Sequence, residues 1–414
     1  MSSRDRDSSD TFNADDGVPC RVWGADQIQL EALDQMKIAS RLPITVGAAL
    51  MPDAHVGYGL PIGGVLATDN AVIPYAVGVD IACRVRLSVL DFTPHDLDRR
   101  ADKLIAAIET ETRFGIGARF DRSARRDHAV MNEDWSISPV TRANRDKAWE
   151  QLGTSGSGNH FVEYGELEVG AAGVTHEGRH LAPGTYVALL SHSGSRGTGA
   201  AVCEHYSSLA RSKHPELPPE CARLAWLSLD SDAGIEYWNA MELMGRYASA
   251  NHACIHDSIV ARLKTDVLFS AENHHNFAWK ETHETPGGRR ELIVHRKGAT
   301  PAGAGAIGFI PGSMTAPGFL VRGLGVAQSF DSAAHGAGRR MSRSAANKSI
   351  RWGDVQPVLK RHRVNLISAG LDEAPKVYKD THSVMEAQRD LVEPLAEFRP
   401  RIVKMAPSGE KPED

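Results

Sequence analysis

The sequence contains few cysteines and no long apolar run, and both absences narrow the class of protein. The five cysteines (Cys20, Cys83, Cys203, Cys221 and Cys254) are far apart and form no CxxC pair. This usage favours a reducing compartment over a disulfide scaffold, so we expect a cytoplasmic protein. No stretch of the sequence approaches the roughly 20 apolar residues that a membrane-spanning helix needs. We therefore expect no membrane association.

An excess of positive charge is also missing, since the formal net charge is −5. A chain with this charge is not a general polyanion binder, and any contact with nucleic acid would depend on local basic clusters. Two such clusters adjoin glycine-rich motifs, namely residues 295–297 (HRK) and the group Arg339, Arg340, Arg343 and Lys348. A solvated face with one or two salt bridges is an equally good interpretation of each cluster.

The hydrophobic content of 42% and charged content of 24% are those of an ordinary globular protein. The polar residues 1–17 predict a disordered leader. No linker-like break divides the rest, so residues 18–405 predict one large mixed α/β domain, followed by a C-terminal tail over residues 406–414.

Periodicity predicts several elements of this domain. Apolar runs broken by glycine and proline predict short buried strands over residues 44–90. The run YVALL predicts a strand that ends near His192. Helical spacing predicts a helix over residues 94–112 and the longest helix over residues 234–268.

Six short segments punctuated by glycine hold the side chains best suited to chemistry. They read GVDIAC, GSGNHF, SHSGSRG, HHNFA, IPGSM and AHGAG, and they supply Asp80, Cys83, Asn159, His160, His192, His275 and His335. Carboxylate, thiolate and imidazole together suit a first-row transition metal such as Mn, Zn, Fe or Co. The glycines let backbone amides approach phosphate oxygens. A metal site beside a phosphate-binding loop favours chemistry on nucleotides.

Each of these residues also has an ordinary structural interpretation. A lone cysteine such as Cys83 is more often a small core residue, although Asp80 three positions earlier favours a ligand. Glycine-rich loops such as GSGNH are common and are a weak signal. Adjacent strand residues point to opposite faces, so at most one of His274 and His275 is expected to reach a given metal. The recurrence of such residues beside glycine makes coincidence the weaker explanation.

The chain resembles the RtcB-type RNA ligases in eight motifs that occur in the same order, MPDAHVGYGLPIGG, GVDIAC, LGTSGSGNHFVE, SHSGSRG, HHNFA, VHRKGAT, IPGSM and AHGAGRRMSR. The resemblance runs from about residue 20 to residue 404. It implies a single compact α/β domain with a central cleft for metal and nucleotide. It also implies an enzyme that uses GTP and manganese to join an RNA 3′-phosphate or 2′,3′-cyclic phosphate end to a 5′-hydroxyl end, in tRNA splicing or RNA repair.

The resemblance implies two Mn²⁺ ions that share one sulfur ligand. Asp80, Cys83 and His160 would hold the first ion. Cys83, His192 and His275 would hold the second. A shared thiolate places negative charge between two dications and so reduces their repulsion.

The resemblance also implies a covalent intermediate. His335 corresponds to the nucleophile that attacks the α-phosphate of GTP and forms a histidine–GMP adduct, and Asp53 corresponds to a residue close to the reactive phosphate. Glu163 would accept hydrogen bonds from guanine. The remaining residues implied to surround the nucleotide are Asn159, His160, Phe161, Val162, His275, Asn276, Pro311, Gly312, Ser313, Met314, Gly318, Gly336, Ala337, Gly338, Tyr378 and Lys404.

Two departures from the family pattern carry expectations. Gly318 stands where the family has a serine, which predicts weaker binding of GTP. Arg84 stands where the family has a glycine, and it would either contact RNA phosphate or obstruct the cleft. RNA is the expected partner, with an archease-like activating protein as a second. The alternatives are an enzyme that caps 3′-phosphate ends of RNA or DNA without joining them, a metal-dependent phosphoesterase, and an RNA-binding module.

Overall fold

The structure, a computed structural model, describes residues 9–12 and 17–410. Ser9–Phe12 form a strand that pairs with Cys20–Trp23, which the polar composition of the leader did not predict. Residues 1–8 and 13–16 of the predicted leader, and residues 411–414 of the predicted C-terminal tail, lie outside the described residues. The domain boundaries drawn from the sequence therefore remain predictions.

The described residues form strands and helices that we number in chain order. The strands are β1 Ser9–Phe12, β2 Cys20–Trp23, β3 Thr45–His55, β4 Ile62–Thr68, β5 Ala71–Val72, β6 Arg84–Leu90, β7 Phe161–Val169, β8 Val174–His176, β9 Arg179–Leu181, β10 Gly184–Ser193, β11 Leu227–Ser228, β12 Val267–His274, β13 Asn276–Thr285, β14 Gly288–Lys297, β15 Ala299–Pro301, β16 Ile307–Ile310, β17 Gly318–Gly323, β18 Ser332–Ala334, β19 Asn365–Ser368 and β20 Val392–Met405. The α-helices are α1 Leu30–Ser40, α2 Pro74–Val77, α3 His95–Arg99, α4 Ala101–Glu111, α5 Pro139–Gln151, α6 Arg196–Lys213, α7 Asp232–Leu263, α8 Arg343–Ser349, α9 Trp352–Arg361 and α10 Thr381–Ala387.

Two sheets organise the chain. The first contains six strands in the order β1-β2-β3-β4-β14-β13, and the second contains eight, with β12-β6-β10-β7-β20-β17-β16 in line and β19 paired to β20. In the second sheet β6 runs antiparallel to β10 and to β12, and β7 runs antiparallel to β10. The first residues of β6 and β7 therefore lie beside the last residues of β10 and β12.

The strands predicted over residues 44–90 are present as β3, β4, β5 and β6, and YVALL lies within β10. The longest helix is α7, which ends at Leu263 because Lys264 adopts a left-handed conformation with φ 53°. The single helix predicted over residues 94–112 is instead two helices, α3 and α4. Arg100 separates them because its backbone leaves the helical region, with φ −111° and ψ 16°.

One apolar cluster joins the two sheets into a single unit. Ala49 and Met51 from β3 pack in it with Phe319 and Val321 from β17. Burial of apolar area shared between sheets is the main force that holds such layers together. The chain is therefore a mixed α/β domain, as the sequence predicted. Of the helices in the described ranges, none is both long and apolar enough to cross a membrane.

Candidate active site

Four of the predicted metal ligands lie at the strand ends that the second sheet brings together. Cys83 directly precedes β6, and His160 directly precedes β7. His192 lies at the end of β10, opposite Phe161 of β7, and His275 directly follows β12. Antiparallel pairing thus collects, at one end of the sheet, residues that are far apart in the chain.

The side chains of these four residues and Asp80 form one continuous line of contacts. Asp80 Oδ2 lies 3.0 Å from His160 Nε2. Cys83 Sγ lies 3.4 Å from His160 Nε2 and 3.1 Å from His192 Nε2. His192 Nε2 lies 3.2 Å from His275 Nε2. All five residues are buried, and Cys83 occupies the centre of the line.

Two imidazoles of this line, those of His192 and His275, are in the neutral form that binds metals. His192 Nδ1 donates to the carbonyl oxygen of Asn159 at 3.0 Å, so the lone pair of Nε2 faces Cys83. Burial lowers the pKa of both His192 and His275 well below the ordinary value, and the two rings are neutral near pH 7. Neutral imidazoles converging with a sulfur and a carboxylate fit a transition metal.

Asp80 supplies the negative charge at one end of the line. Burial alone would raise the pKa of its carboxyl, but the hydrogen bond and charge of His160 and the charge of Arg196 outweigh burial and hold the pKa below its ordinary value. The carboxylate also needs a glycine beside it, because a Cβ at Gly194 would lie 2.2 Å from either carboxylate oxygen. Asp80 is therefore ionised and closely packed against the chain that follows β10.

His335 lies beside this line and is held by a carboxylate from the other sheet. Its ring centroid is 4.7 Å from that of His275. Its Nδ1 donates to Oδ2 of the fully buried Asp53 at 2.6 Å, and its backbone N–H donates to the same oxygen at 3.1 Å. A Cβ at Gly338 would lie 2.0 Å from the Asp53 carbonyl oxygen, so this close approach requires glycine. Because Asp53 occupies Nδ1, the chemistry of the ring is left to Nε2.

Most of the sequence-predicted residues line a single cavity. Those that line it are Asp80, Cys83, Asn159, His160, Phe161, Glu163, His192, His275, Asn276, Pro311, Gly312, Ser313, Met314, His335, Gly336, Ala337, Gly338 and Tyr378. Asp53 lies directly behind His335 and contacts the cavity through that ring. The predicted metal cluster and the predicted nucleotide loops thus share one space.

Glu163 stands out on the cavity wall. Its side chain is buried, and among the described residues it has no hydrogen-bond partner. Burial raises the pKa of Glu163 well above its ordinary value. An unpartnered buried carboxyl is costly unless a ligand supplies donors, so this wall is suited to a ligand that presents N–H groups.

Two predicted nucleotide contacts lie on the opposite face of the sheet. Val162 of β7 is paired with Lys404 of β20, and Lys404 Nζ lies 3.6 Å from Glu109. Successive strand residues face opposite sides, and it is the neighbouring pair, Glu163 and Val403, that lines the cavity. The structure therefore does not support side-chain contacts from Val162 or Lys404 to a nucleotide.

The two departures noted in the sequence also lie away from the cavity. Gly318 begins β17, and a Cβ there would lie 2.7 Å from the ring of Phe309. Packing therefore leaves no room for a serine, and the structure does not support a nucleotide contact at this position. Arg84 is buried, forms an ion pair with Glu272 and donates to the carbonyl oxygen of Gly245 at 2.9 Å. It therefore does not line the cavity and is not exposed at the surface.

Sequence reasoning missed several residues of the cavity wall, namely His55, Ile62, Gly298, Arg339, Glu373, Val403 and Met405. The sequence did contain a signal for His55, because this histidine lies two positions after Asp53 in the same glycine-containing motif. Its Nδ1 donates to the Asp53 carbonyl oxygen at 3.1 Å. Glu373 had no such signal in the sequence, because only the folded chain brings it to within 3.3 Å of Arg339.

The basic cluster at residues 295–297 is not an exposed patch. Arg296 is fully buried and forms two hydrogen bonds of 2.8 and 2.9 Å with Glu281. Lys297 is also buried, and burial lowers its pKa to about 7. These residues support the interior of the protein and do not form an RNA-facing surface.

A carboxylate-held histidine beside a buried Asp/Cys/His cluster fits the class of enzymes that bind a metal ion, and comparison identifies the family. The family model described as tRNA-splicing ligase RtcB matches residues 35–138 and 119–405. The RNA-splicing ligase RtcB of Escherichia coli (strain K12) is 32% identical over 417 residues, which cover 93% of this chain and 96% of that protein. The tRNA-splicing ligase RtcB of Methanococcus maripaludis is 29% identical, with 93% and 92% covered. That of Thermococcus kodakarensis is 28% identical, with 95% and 94% covered. The chain therefore belongs to the RtcB ligase family, which confirms the resemblance seen in its motifs.

Proposed function

We propose that this protein is a GTP- and Mn²⁺-dependent RNA ligase that joins 3′-phosphate or 2′,3′-cyclic phosphate ends to 5′-hydroxyl ends. The observation that carries the proposal is the position of the Asp53–His335 pair beside the Cys83 cluster in one cavity. The proposal also rests on membership of a family whose relatives are named RNA-splicing and tRNA-splicing ligases.

The metals are assigned to the line of contacts centred on Cys83. Asp80, Cys83 and His160 would hold one Mn²⁺ ion, and Cys83, His192 and His275 would hold the second. When bound, the ions would neutralise negative charge on phosphate oxygens. The short distances from Cys83 Sγ to both His160 and His192 support a shared thiolate.

The nucleophile is assigned to Nε2 of His335. A bond forms between this nitrogen and the α-phosphorus of GTP, and the bond from that phosphorus to the bridging oxygen breaks and releases pyrophosphate. Asp53 holds the Nδ1 proton and stabilises the positive charge that the ring acquires. An oxygen of an RNA 3′-phosphate then bonds to the phosphorus of the adduct as the bond from that phosphorus to Nε2 breaks. The 5′-hydroxyl oxygen next bonds to the RNA phosphorus, its proton passes to solvent, and GMP leaves. A cyclic end has to be hydrolysed to a 3′-phosphate before this transfer.

Guanine selection is assigned to Glu163. Burial favours the neutral carboxyl of Glu163 in the free protein. The N1 and N2 donors of a bound guanine would favour the ionised form and donate to its oxygens, whereas adenine lacks this pair of donors. The buried, unpartnered position of Glu163 on the cavity wall supports the assignment. RNA is the proposed substrate and the cytoplasm the proposed location, with an archease-like protein as a proposed activator.

Labelling with GTP tests the proposal in two stages. With α-³²P-labelled GTP and Mn²⁺, the wild type should become covalently labelled, and His335→Ala should not. Addition of 3′-phosphate RNA and a 5′-hydroxyl acceptor should then give a joined product. Guanylylated RNA or DNA without joining would instead establish the capping alternative. An unlabelled wild type would overturn the ligase mechanism in favour of a phosphoesterase or binding module.

A further inference from the structure

We propose that Tyr58 and Arg223 form a platform that binds the single-stranded RNA leading to the reactive end. We call these two side chains the stacking platform. The inference rests on the proposed function, and it assigns an RNA contact outside the reaction cavity.

The platform lies at the margin of the cavity. β3 and β4 form a hairpin whose last pair is His55 and Ile62, and both of these residues line the cavity. The loop between them, residues 56–61, therefore begins and ends at the cavity wall. Its Tyr58 is 56% exposed and its Val56 is 46% exposed, so the fold leaves two large apolar side chains in solvent at this place.

The loop is held rigidly by contacts to its backbone. The side chain of Gln35 donates to the carbonyl oxygen of Gly57 at 2.6 Å and accepts from its N–H at 3.0 Å. Lys297 Nζ donates to the carbonyl oxygen of Tyr58 at 2.5 Å. Tyr58 is therefore exposed by a fixed backbone, and a preorganised aromatic ring loses little entropy when a ligand binds.

Arg223 places its guanidinium group against the ring of Tyr58. Its guanidinium carbon lies 4.5 Å from the ring centroid of Tyr58 and 5.4 Å from that of Tyr75. The side chain is exposed, and within the described part of the chain it pairs with no carboxylate. Its N–H donors are thus positioned by two aromatic rings and remain free for an external anion.

An exposed aromatic ring beside an unpaired arginine is the surface chemistry that binds single-stranded nucleic acid. A base stacks on the ring and a phosphate accepts from the guanidinium, without any requirement for a particular sequence. Because the net charge of the protein is −5, its overall electrostatic field does not attract RNA, and a local cationic contact matters more. An acidic protein segment would use the arginine but would gain little from the ring.

The test separates RNA binding from adduct formation. Tyr58→Ala should weaken binding of a 3′-phosphate single-stranded RNA roughly 5- to 150-fold, while Tyr58→Phe should retain it, because base stacking needs only the ring. Arg223→Ala should reduce the slope of log affinity against log salt by roughly 0.7. Labelling of His335 by GTP in the absence of RNA should continue in all three variants, which also shows that they fold.

Two substitutions away from the cavity serve as matched controls. Ile235→Ala removes an apolar side chain that is 49% exposed, and Arg389→Ala removes a cation paired with Glu386 at the surface. Neither should change RNA affinity. Wild-type RNA affinity in Tyr58→Ala, with normal adduct formation, would overturn the platform and leave the ligase proposal intact. If Tyr58→Ala weakened the binding of RNA and of poly-glutamate equally, the stacking role would also be overturned. Absence of GTP labelling in the wild type would instead overturn the proposed function itself.

Discussion

Oδ2 of Asp53 lies 2.6 Å from Nδ1 of His335, although 282 positions separate the two residues in the chain. The same oxygen also accepts the backbone N–H groups of His335 and Gly336. Lys379 secures the strand on the other side, because its Nζ donates to the carbonyl oxygens directly before and after Asp53 at 2.9 and 2.8 Å. The carboxylate and the ring are therefore oriented before any substrate binds.

The hydrogen bond between Asp53 and His335 predicts different losses of adduct formation when each residue is replaced. His335→Ala should form no GMP adduct. Asp53→Asn should slow adduct formation roughly 10²- to 10⁴-fold, because an amide does not stabilise the cationic ring as a carboxylate does. Both variants should still bind Mn²⁺, measured by metal titration, since neither residue belongs to the line centred on Cys83. Metal loss in His335→Ala would mean that this histidine is a ligand and not the nucleophile.

Replacement of the central sulfur should remove the metals. We expect Cys83→Ala to lose most bound Mn²⁺ and all adduct formation, because no other residue of the line contacts both His160 and His192. Cys203→Ala is the matched control, since Cys203 is equally buried but packs in an apolar cluster. Metal content after dialysis, measured by mass spectrometry, checks the difference. Unchanged Mn²⁺ in Cys83→Ala would rule out a shared thiolate.

Guanine preference should depend on Glu163. Glu163→Gln replaces a carboxylate acceptor with an amide, and a hydrogen bond to a charged group contributes roughly 1.5–3 kcal/mol. The concentration of GTP that half-saturates adduct formation should rise roughly 10- to 150-fold. Labelling with GTP and with ATP in parallel gives the measurement. Retention of the full preference for GTP in this variant would exclude the assignment.

The position of Gly318 predicts a loss of stability without any gain in GTP binding. Gly318→Ser places a Cβ 2.7 Å from the Phe309 ring, and overpacking of this kind costs about 1–3 kcal/mol of unfolding free energy. At Gly303 no atom lies within 4 Å of an added Cβ, so Gly303→Ser should be close to neutral. Urea unfolding midpoints compare the two variants. Tighter GTP binding with unchanged stability in Gly318→Ser would show that the loop has room for a hydroxyl.

Acid sensitivity should depend on a buried histidine outside the cavity. His295 Nε2 accepts the backbone N–H of Ile73 at 2.9 Å, and burial lowers the pKa of His295 to about 4. The unfolded chain takes up this proton near pH 6.5 and the folded chain only near pH 4, so the free energy of unfolding should fall as the pH falls between these values. The contribution is on the order of 3 kcal/mol. Chemical unfolding measured across this pH range should show a smaller fall in the unfolding free energy for His295→Gln than for the wild type. If the two proteins lost stability in parallel, His295 would not be the source of the acid sensitivity.

The sequence by itself determined which residue types are available for chemistry and where a few of the strands lie. Residue type decides whether a side chain can bind a metal or attack a phosphorus, and the motifs state those types directly. Local glycines and apolar runs likewise predicted β3, β4, β6 and β10. For these reasons the histidines, Cys83 and Asp80 could be found before the structure was known.

Only the tertiary structure decided which way several side chains face. Glu163 faces the cavity and Val162 faces away because β7 is paired with β20 in one particular register, and a shift by one residue would reverse them. Arg84 is withdrawn from the cleft because Glu272, 188 positions later, lies beside it on β12. Gly318 has no room for a side chain because the ring of Phe309, on the paired strand, lies 2.7 Å from where a Cβ would be. Each of these outcomes depends on long-range pairing, whereas a local sequence pattern specifies only the residue and its nearest neighbours.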